Sequence, residues 1–429
     1  MHYLGEYTHL LVPVTGMLIA YLIVIRAIPI IRMIIHRKKL LEIPDGHRKI
    51  HDEPIPSLGG VAIFASVLIT FAIMAIWTDT WPLYPFLIGG LCMLFFSGLK
   101  DDLLVINARK KLLIQLLAPA LVVVGGGVYI DSFGGLFGIN SLPVWIAIPF
   151  TLYIFVVIVN AYNLIDGIDG LAGGIGVIIS LFLGGWFIAA DLMPHAVLAF
   201  ILAGALIGFL RFNWQPATIF MGDTGSLVVG FIIGTLVIKM LQTGINNPAA
   251  PFHEVMPVIA MALLAIPLYD TLRVFILRVR RGESPFNSGT DHVHHQLLGI
   301  SGCHGKTAIY LFAANILVLL FVIAFKSLPL TLLFMLTLGF TLMLLPTAGI
   351  KRKLLVKLGI FTLNPKPANG SNGSNGSNGH IKLVNGFSPR KLKLPQWEIP
   401  EELEHFDLEA LTGNNGDGEK EGEKVIGER

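Results

Sequence analysis

The chain has 429 residues, 54% of them hydrophobic and 14% charged, with a mean hydropathy of +0.72. Soluble globular domains carry about 25% charged residues, so this composition excludes an ordinary soluble domain and points to a polytopic membrane protein. The formal net charge of +3 says little, because its distribution matters more than its sum; no nucleic-acid partner is expected, and two cysteines, Cys92 and Cys303, supply neither a disulfide framework nor a zinc spacing.

Apolar runs of about 20 residues read as membrane helices. Eleven are expected, over residues 10–35, 59–77, 83–99, 112–130, 142–159, 171–189, 196–211, 227–242, 255–274, 306–325 and 328–346. The first has no basic segment before it and no small-residue cleavage site after it, so it reads as a retained span. Basic residues gather after the odd-numbered runs: Arg37, Lys38, Lys39, Arg48 and Lys49, then Lys100, Arg109, Lys110 and Lys111, then Arg278, Arg280 and Arg281. The positive-inside bias puts these loops and the C-terminus in the cytoplasm and the N-terminus outside.

The polar motifs fall on the same side. Pro44-Asp-Gly-His47-Arg-Lys49-Ile-His51 and Pro56-Ser-Leu-Gly59-Gly60 follow the first run, and Lys100-Asp101-Asp102 follows the third. Asn160-Ala-Tyr-Asn163-Leu-Ile-Asp166-Gly-Ile-Asp169-Gly-Leu-Ala172 follows the fifth, and Gly222-Asp223-Thr-Gly-Ser226 comes after the seventh. Arg278 to Arg281, Ser284-Pro-Phe286 and Asp291-His292-Val-His294-His295 follow the ninth. The outward loops carry no comparable cluster; His2, His9, His195 and His253 are isolated there. A composite site on the cytoplasmic face is the economical explanation, although the Asn160 to Ala172 stretch alone also reads as a solvated loop with helix-capping aspartates.

Beyond Pro346 the character changes. Three regions are expected: a membrane domain over 1–350, a basic juxtamembrane segment and Ser/Asn/Gly linker over 351–380, and a largely disordered cytoplasmic tail over 381–429.

Asp101, Asp102, Asp166, Asp169 and Asp223 bring carboxylates to one membrane face, where unneutralised charge of one sign is costly. A hard cation such as Mg²⁺, with Mn²⁺ as the alternative, takes oxygen ligands together with substrate phosphates. Asp101 and Asp102 are adjacent and cannot both face one way on a regular helix, so one can face a metal and the other accept a proton. Lys49, His51, Arg281 and the three histidines supply donors of the kind a diphosphate needs. These residues describe a metal-dependent, diphosphate-handling site with a lipid as one reactant.

The motifs His-Arg-Lys-x-His-x-x-Pro-x-Pro-x-x-Gly-Gly, Lys-Asp-Asp, Asn-x-x-Asn-x-x-Asp-Gly-Ile-Asp-Gly-Leu, Gly-Asp-Thr-Gly-Ser and His-x-His-His occur in this order. Over residues 40 to 300 or so, the chain resembles the polyprenyl-phosphate N-acetylhexosamine-1-phosphate transferases. The resemblance implies an all-α integral membrane protein, a polytopic bundle of about 11 transmembrane helices with a cytoplasmic-face active site in the bacterial inner membrane. It implies transfer of a sugar-1-phosphate, most simply GlcNAc-1-phosphate, from a UDP-sugar to undecaprenyl phosphate with release of UMP. Ser-Pro-Phe followed by Asp-His-x-His-His resembles the UDP-GlcNAc branch; UDP-GalNAc and UDP-MurNAc-pentapeptide are the alternative donors. By motif, Asn163 and Asp223 resemble the Mg²⁺ ligands, and Asp101, Asp102 and Asp166 the catalytic carboxylates. Asp169 resembles the uracil-reading position, His292, His294 and His295 the donor-contacting segment, and Lys49 and His51 the basic group near the phosphates, with Arg281 beside them. Membrane lipid and a second copy of the chain complete the expected partners. An ion-coupled transporter is the alternative from another class, but its carboxylates belong near the bilayer midplane and not at helix ends.

Overall fold

The computed structural model describes residues 8–38, 55–75, 83–104, 106–282 and 292–345, which belong to one compact unit. The linker and tail expected over 351–429, and Lys49 and His51 of the first motif, lie outside the described residues.

Every regular element among the described residues is helical. In chain order the α-helices are α1 (Thr8–Lys38), α2 (Gly59–Met74), α3 (Tyr84–Leu103), α4 (Ala108–Ala120), α5 (Val144–Leu164) and α6 (Leu171–Ala189). Then come α7 (Met193–Asn213), α8 (Gly222–Asn246), α9 (Met256–Leu263), α10 (Ala265–Arg280), α11 (Val293–Ser301), α12 (His304–Ala324) and α13 (Leu330–Leu344). The protein is an all-α membrane protein. Among the described residues six helices, α1, α5, α6, α7, α8 and α12, are long and apolar enough to cross a bilayer, and a bent pair, α9 with α10, makes up to seven.

Three of the expected runs differ in shape from a plain span. The run over 59–77 is helical only to Met74. The run over 112–130 leaves the α-helix at Ala120, passes through a π-helical turn over Leu121–Gly125 and stops at the consecutive glycines 125–127, which favour neither helix nor strand. The run over 255–274 breaks at Leu264 with a bend of 61°. Pro267 explains that break: it has no N–H to give the carbonyl four residues back, and its ring crowds that carbonyl.

Helix α8 is the central pillar, with 94% of its apolar window buried inside the protein. It carries α3 and α5 along its sides, while α7 packs between α1 and α6. In lipid the backbone groups are satisfied within helices, and close packing between helices supplies the association. The pillar is apolar down most of its length, through Leu227, Val228, Phe231, Ile232 and Leu236, all with no exposure. Its first turn is polar. That turn, Gly222 to Ser226, meets the last turn of α3, the last turn of α5 and the first turn of α2, so the polar groups gather at one end of the bundle.

Two close approaches fix this junction. A Cβ on Gly60 of α2 would lie 2.1 Å from the Gly225 nitrogen, and one on Gly98 of α3 would lie 2.6 Å from the Thr224 Cα. Helix α8 therefore enters between α2 and α3 with backbone against backbone. The entry is also hydrogen-bonded: Phe220 N–H donates to the Pro56 carbonyl at 2.8 Å, and Gly59 and Gly60 N–H donate to the carbonyls of Phe220 and Met221 at 2.9 and 3.0 Å. The described end of the first motif is thus pinned to the Gly-Asp-Thr-Gly-Ser turn.

Candidate active site

The acidic cluster is built from helix ends. The third and fourth helices meet in a short turn, where Asp101 Oδ1 accepts from the Ile106 N–H at 2.8 Å and the Asn107 side chain caps α4 by accepting from the Arg109 N–H at 2.9 Å. The cap starts α4 so that Lys111, one turn in, reaches back. Its ammonium lies 2.9 Å from Asp101 Oδ2 and also pairs with Asp223 Oδ2. Asp101 and Asp223 come from the end of α3 and the start of α8, and one lysine holds both.

Asp102 does something different from its neighbour. Its Oδ1 accepts from the Asp223 N–H at 2.8 Å, and its Oδ2 accepts from the Thr224 N–H at 2.9 Å and the Thr224 hydroxyl at 2.5 Å. These N–H groups belong to the unsatisfied first turn of α8, and a carboxylate also suits the positive end of the helix dipole. Gly222 precedes them with φ of +69°, and a Cβ there would meet the Ser57 carbonyl at 2.1 Å and Asp102 Oδ2 at 2.7 Å. Only glycine fits at this position.

The fifth helix delivers Asn163, whose Nδ2 donates to Asp223 Oδ1 at 2.6 Å and to Ser226 Oγ at 2.7 Å. One turn earlier, Asn160 and Gln115 exchange amide hydrogen bonds of 2.9 and 3.3 Å, clamping α5 to α4 beneath Asn163 and Lys111. Asp166 follows in the loop before α6 and accepts from the Gly222 N–H. Burial pushes the Asp166 carboxyl well above the usual carboxylate range, and the negative charges of Asp223 and Asp102 push it further. Asp101, Asp102, Asp166 and Asp223 therefore form one cluster with Asn163 and Lys111.

Asp169 stands apart from that cluster. It is 8% exposed, and its Oδ2 accepts from the Ala217 N–H at 3.2 Å while its Oδ1 lies 3.2 Å from Nδ1 of His304. It ties the start of α6 to the loop before α8 and to α12.

The histidine segment closes the site from another side. His292 and His294 are buried, and the His294 and His295 rings lie 4.4 Å apart by centroid. A Cβ on Gly167, next to Asp166, would lie 3.0 Å from His294 Nε2 and 3.4 Å from His295 Nε2. The pair thus adjoins the Asp166 loop. Burial, with the neighbouring histidines, pushes His295 down to about 4, so it is a neutral ring near pH 7. Arg281 is exposed at the end of α10, where its N–H closes the last turn on the Leu277 and Arg278 carbonyls.

Three participants were not singled out as site residues by sequence. Lys111 reads there as a topology signal, His304 as part of a polar loop, and Asp270 as a position inside an apolar run. The signal for Lys111 is its register: four residues after the capping Asn107, it returns to the face where α4 meets Asp101.

The donor set around Asp223 is chemically uniform. Asp223, Asp101, Ser226 and, with its amide turned, Asn163 offer oxygen, which suits a hard divalent cation such as Mg²⁺. A second metal-like grouping, Asp270 with His292 and His294, has ligand atoms within 4.8 Å of one another. There the His294 Nδ1 to Asp270 Oδ2 separation is 2.6 Å. Two ligands at about 2.0–2.1 Å on a tetrahedral zinc stand about 3.3 Å apart, so this contact is a hydrogen bond.

Fold and site together define a multi-pass helical membrane protein that gathers carboxylates, an amide and a lysine at helix ends on one side of the bundle. Known proteins of this kind are similar to it in sequence. The glycosyl transferase family 4 profile matches residues 84–241. The chain is 30% identical over 315 residues, 73% of its length and 85% of the relative's, to the probable undecaprenyl-phosphate N-acetylglucosaminyl 1-phosphate transferase of Bacillus subtilis (strain 168). It is 30% identical over 261 residues, 58% of its length and 67% of the relative's, to the undecaprenyl-phosphate alpha-N-acetylglucosaminyl 1-phosphate transferase of Escherichia coli (strain K12). It is 31% identical over 289 residues, 62% of its length and 70% of the relative's, to the decaprenyl-phosphate N-acetylglucosaminephosphotransferase of Mycolicibacterium smegmatis. The chain belongs to glycosyl transferase family 4.

Proposed function

We propose that this protein transfers N-acetylglucosamine-1-phosphate from UDP-GlcNAc to undecaprenyl phosphate, releasing UMP and starting a cell-envelope polysaccharide. The observation that carries the reading is the convergence of Asp101, Asp102, Asp166, Asp223 and Asn163 at helix ends. The names of the relatives support the acceptor and the transferred group.

The proposed setting is the cytoplasmic face of the inner membrane, within a bundle of about eleven spans. Lys100, Arg109, Lys110, Lys111, Arg278 and Arg280 lie at the ends of α3, α4 and α10, the helices that carry Asp101, Lys111 and Asp270, as the positive-inside bias requires of cytoplasmic ends. An apolar edge supports a lipid reactant. Leu103, Leu104, Leu112 and Leu113 are between 47% and 67% exposed and flank the turn that holds Asp101. A polyprenyl chain lying along that edge brings its phosphate to Asp101 and Lys111.

Asp223 and Asn163 would hold Mg²⁺, or Mn²⁺ in its place. When bound, the ion supplies neutralising charge for the donor diphosphate and the leaving UMP. Lys111 spans Asp101 and Asp223 and is placed to pass from them to a phosphate oxygen. Asp102 is committed to the first turn of α8 by three donors and acts as the anchor of that turn. Asp101 is the carboxylate left to orient the acceptor phosphate and take its remaining proton. An acceptor phosphate oxygen then bonds to the β-phosphorus of UDP-GlcNAc, the bond from that phosphorus to the oxygen bridging to UMP breaks, and UMP leaves. His294 and His295 face the donor side beside Asp166, and Lys49 and His51, outside the described residues, are assigned to the phosphates by their motif alone.

Purified protein supplied with Mg²⁺, undecaprenyl phosphate and radiolabelled UDP-sugars tests the proposal. A lipid-extractable product from UDP-GlcNAc is expected. Product from a different UDP-sugar alone would replace the donor, and no lipid-extractable product would overturn the function. A stoichiometric burst of UMP without lipid would overturn direct attack in favour of a covalent intermediate.

A further inference from the structure

Asp270 lies in α10, six residues beyond the break at Leu264, and is 2% exposed in an otherwise apolar stretch. A buried carboxylate within a membrane helix is costly and marks a function by default. Among the described residues its hydrogen-bonding partners come from the start of α11. Asp270 Oδ1 accepts from the Val293 N–H at 2.6 Å, Oδ2 lies 2.6 Å from Nδ1 of His294, and Nδ1 of His292 is 3.3 Å from the same oxygen.

The other nitrogen of His294 points the opposite way. Nε2 is buried with no hydrogen-bond partner among the described residues, and it faces Gly167 beside Asp166. A buried ring nitrogen left without a partner is an unmet demand that a ligand can satisfy. The two ends of the ring are linked, because a carboxylate accepting at Nδ1 fixes the proton there and thereby fixes both tautomer and ring plane.

We propose that Asp270 is a positioning residue that holds His294 protonated at Nδ1, so that the unprotonated Nε2 is presented at the Asp166 side of the site to accept a hydrogen bond from a hydroxyl or N–H group of the donor. The inference deepens the transferase reading and rests on it for the ligand. The orientation of the ring stands on the geometry alone. Asp270 touches no reacting atom; it acts through His294 and through the first N–H of α11.

Two readouts test it on the full-length protein in detergent. The first needs no turnover: ¹⁵N-histidine labelling, with the His294 signals assigned by their loss in His294→Ala. Wild type is expected to carry the proton on Nδ1. In Asp270→Asn the amide N–H donates to Nδ1 and the proton moves to Nε2. A tautomer unchanged in Asp270→Asn overturns the proposal, whatever the activity assay shows.

The second readout is kinetic. Asp270→Asn is expected to lower kcat/KM for UDP-GlcNAc about 10- to 100-fold, the range for removing a residue that orients a functional histidine. Asp270→Glu, which keeps a carboxylate, is expected to recover part of that loss. In a His294→Ala background, adding Asp270→Asn should cost less than twofold more, because its effect runs through the missing ring. Full additivity in that cycle would assign Asp270 to folding alone and overturn the positioning role. Wild type failing to use any UDP-sugar would defeat the transferase reading, and the labelling result would still decide the tautomer.

Discussion

Replacing Gly98 by alanine tests whether the helix crossing sets the chemistry. The added Cβ would stand 2.6 Å from the Thr224 Cα, 2.7 Å from the Asp223 carbonyl oxygen and 2.7 Å from the Thr224 nitrogen. Comfortable carbon–carbon contact begins at about 3.5 Å, so the start of α8 must retreat by roughly 0.9 Å. All three obstructing atoms are backbone, and no rotamer change relieves them. Overpacking of this kind costs about 1–3 kcal/mol of stability. A displacement near 1 Å in a reacting site costs about 100-fold in rate, or about 2.7 kcal/mol of barrier. The expected result is therefore a protein that still purifies and melts cooperatively but has kcat reduced about 100-fold. The assay is transfer of radiolabel from UDP-GlcNAc into the lipid phase, with melting followed in the same detergent. Gly185→Ala in α6 is the control, because nothing lies within 4 Å of a Cβ there. It should keep wild-type turnover and gain up to about 1 kcal/mol from the better helix former. If Gly98→Ala retains kcat within twofold of wild type, the crossing does not place Asp223.

Asp223→Ala is expected to abolish turnover with the fold intact by circular dichroism, and Asn163→Ala to raise the Mg²⁺ concentration for half-maximal rate about 10-fold. Chelation of divalent ions should stop the wild-type reaction and Mg²⁺ should restore it; persistence after chelation would remove the metal from the mechanism. Lys111→Met leaves Asp101 and Asp223 facing each other without their shared cation. The pair is half-buried, so the expected loss is about 1–2 kcal/mol of stability, read from thermal melting, together with at least a 10-fold fall in kcat. Asp166→Asn should stabilise the metal-free protein at pH 7. The raised carboxyl means that folding disfavours the charged form, so this destabilisation sets in as pH rises past the unfolded value of about 3.9 and is absent below it. A gain of about 1–2 °C in midpoint at pH 7 that disappears near pH 3.5 is expected, and an equal gain at both pH values would point to packing instead.

Much of the cluster was legible because it sits at helix ends, where apolar periodicity stops and polar residues stand out. Asp101, Asp102, Asp166 and Asp223 could be grouped from that alone, and so could the histidine segment. The division of labour between Asp101 and Asp102 was not legible. It depends on which oxygens face the first turn of α8, and adjacent residues on a strand of text carry no such direction. Asp270 was hidden by its surroundings, since one carboxylate in a 20-residue apolar run leaves the run reading as a span. Lys111 reads in the sequence as a topology signal, because basic residues at a cytoplasmic end have a sufficient reason to be there. The break at Leu264 follows from Pro267, yet membrane helices often keep a proline without breaking, so the sequence alone does not announce it. Asp169 resembles a base-reading position by motif, whereas its bonds here run to Ala217 and His304.

The contrast between the two sides of the site bears on how such a transferase diversifies. The first turn of α8 is locked by Asp102, by glycines on two neighbouring helices and by the Pro56 to Gly60 segment, so it has no slack to exchange. The start of α11 is held by side chains of α10: Asp270 accepts from the Val293 N–H and meets His294 Nδ1, and Arg273 donates to Gln296 Oε1 at 3.1 Å. New sugar preferences are therefore more cheaply reached by reshaping α11 and the residues that hold it than by altering the first turn of α8, which is left to preserve the reaction common to every donor.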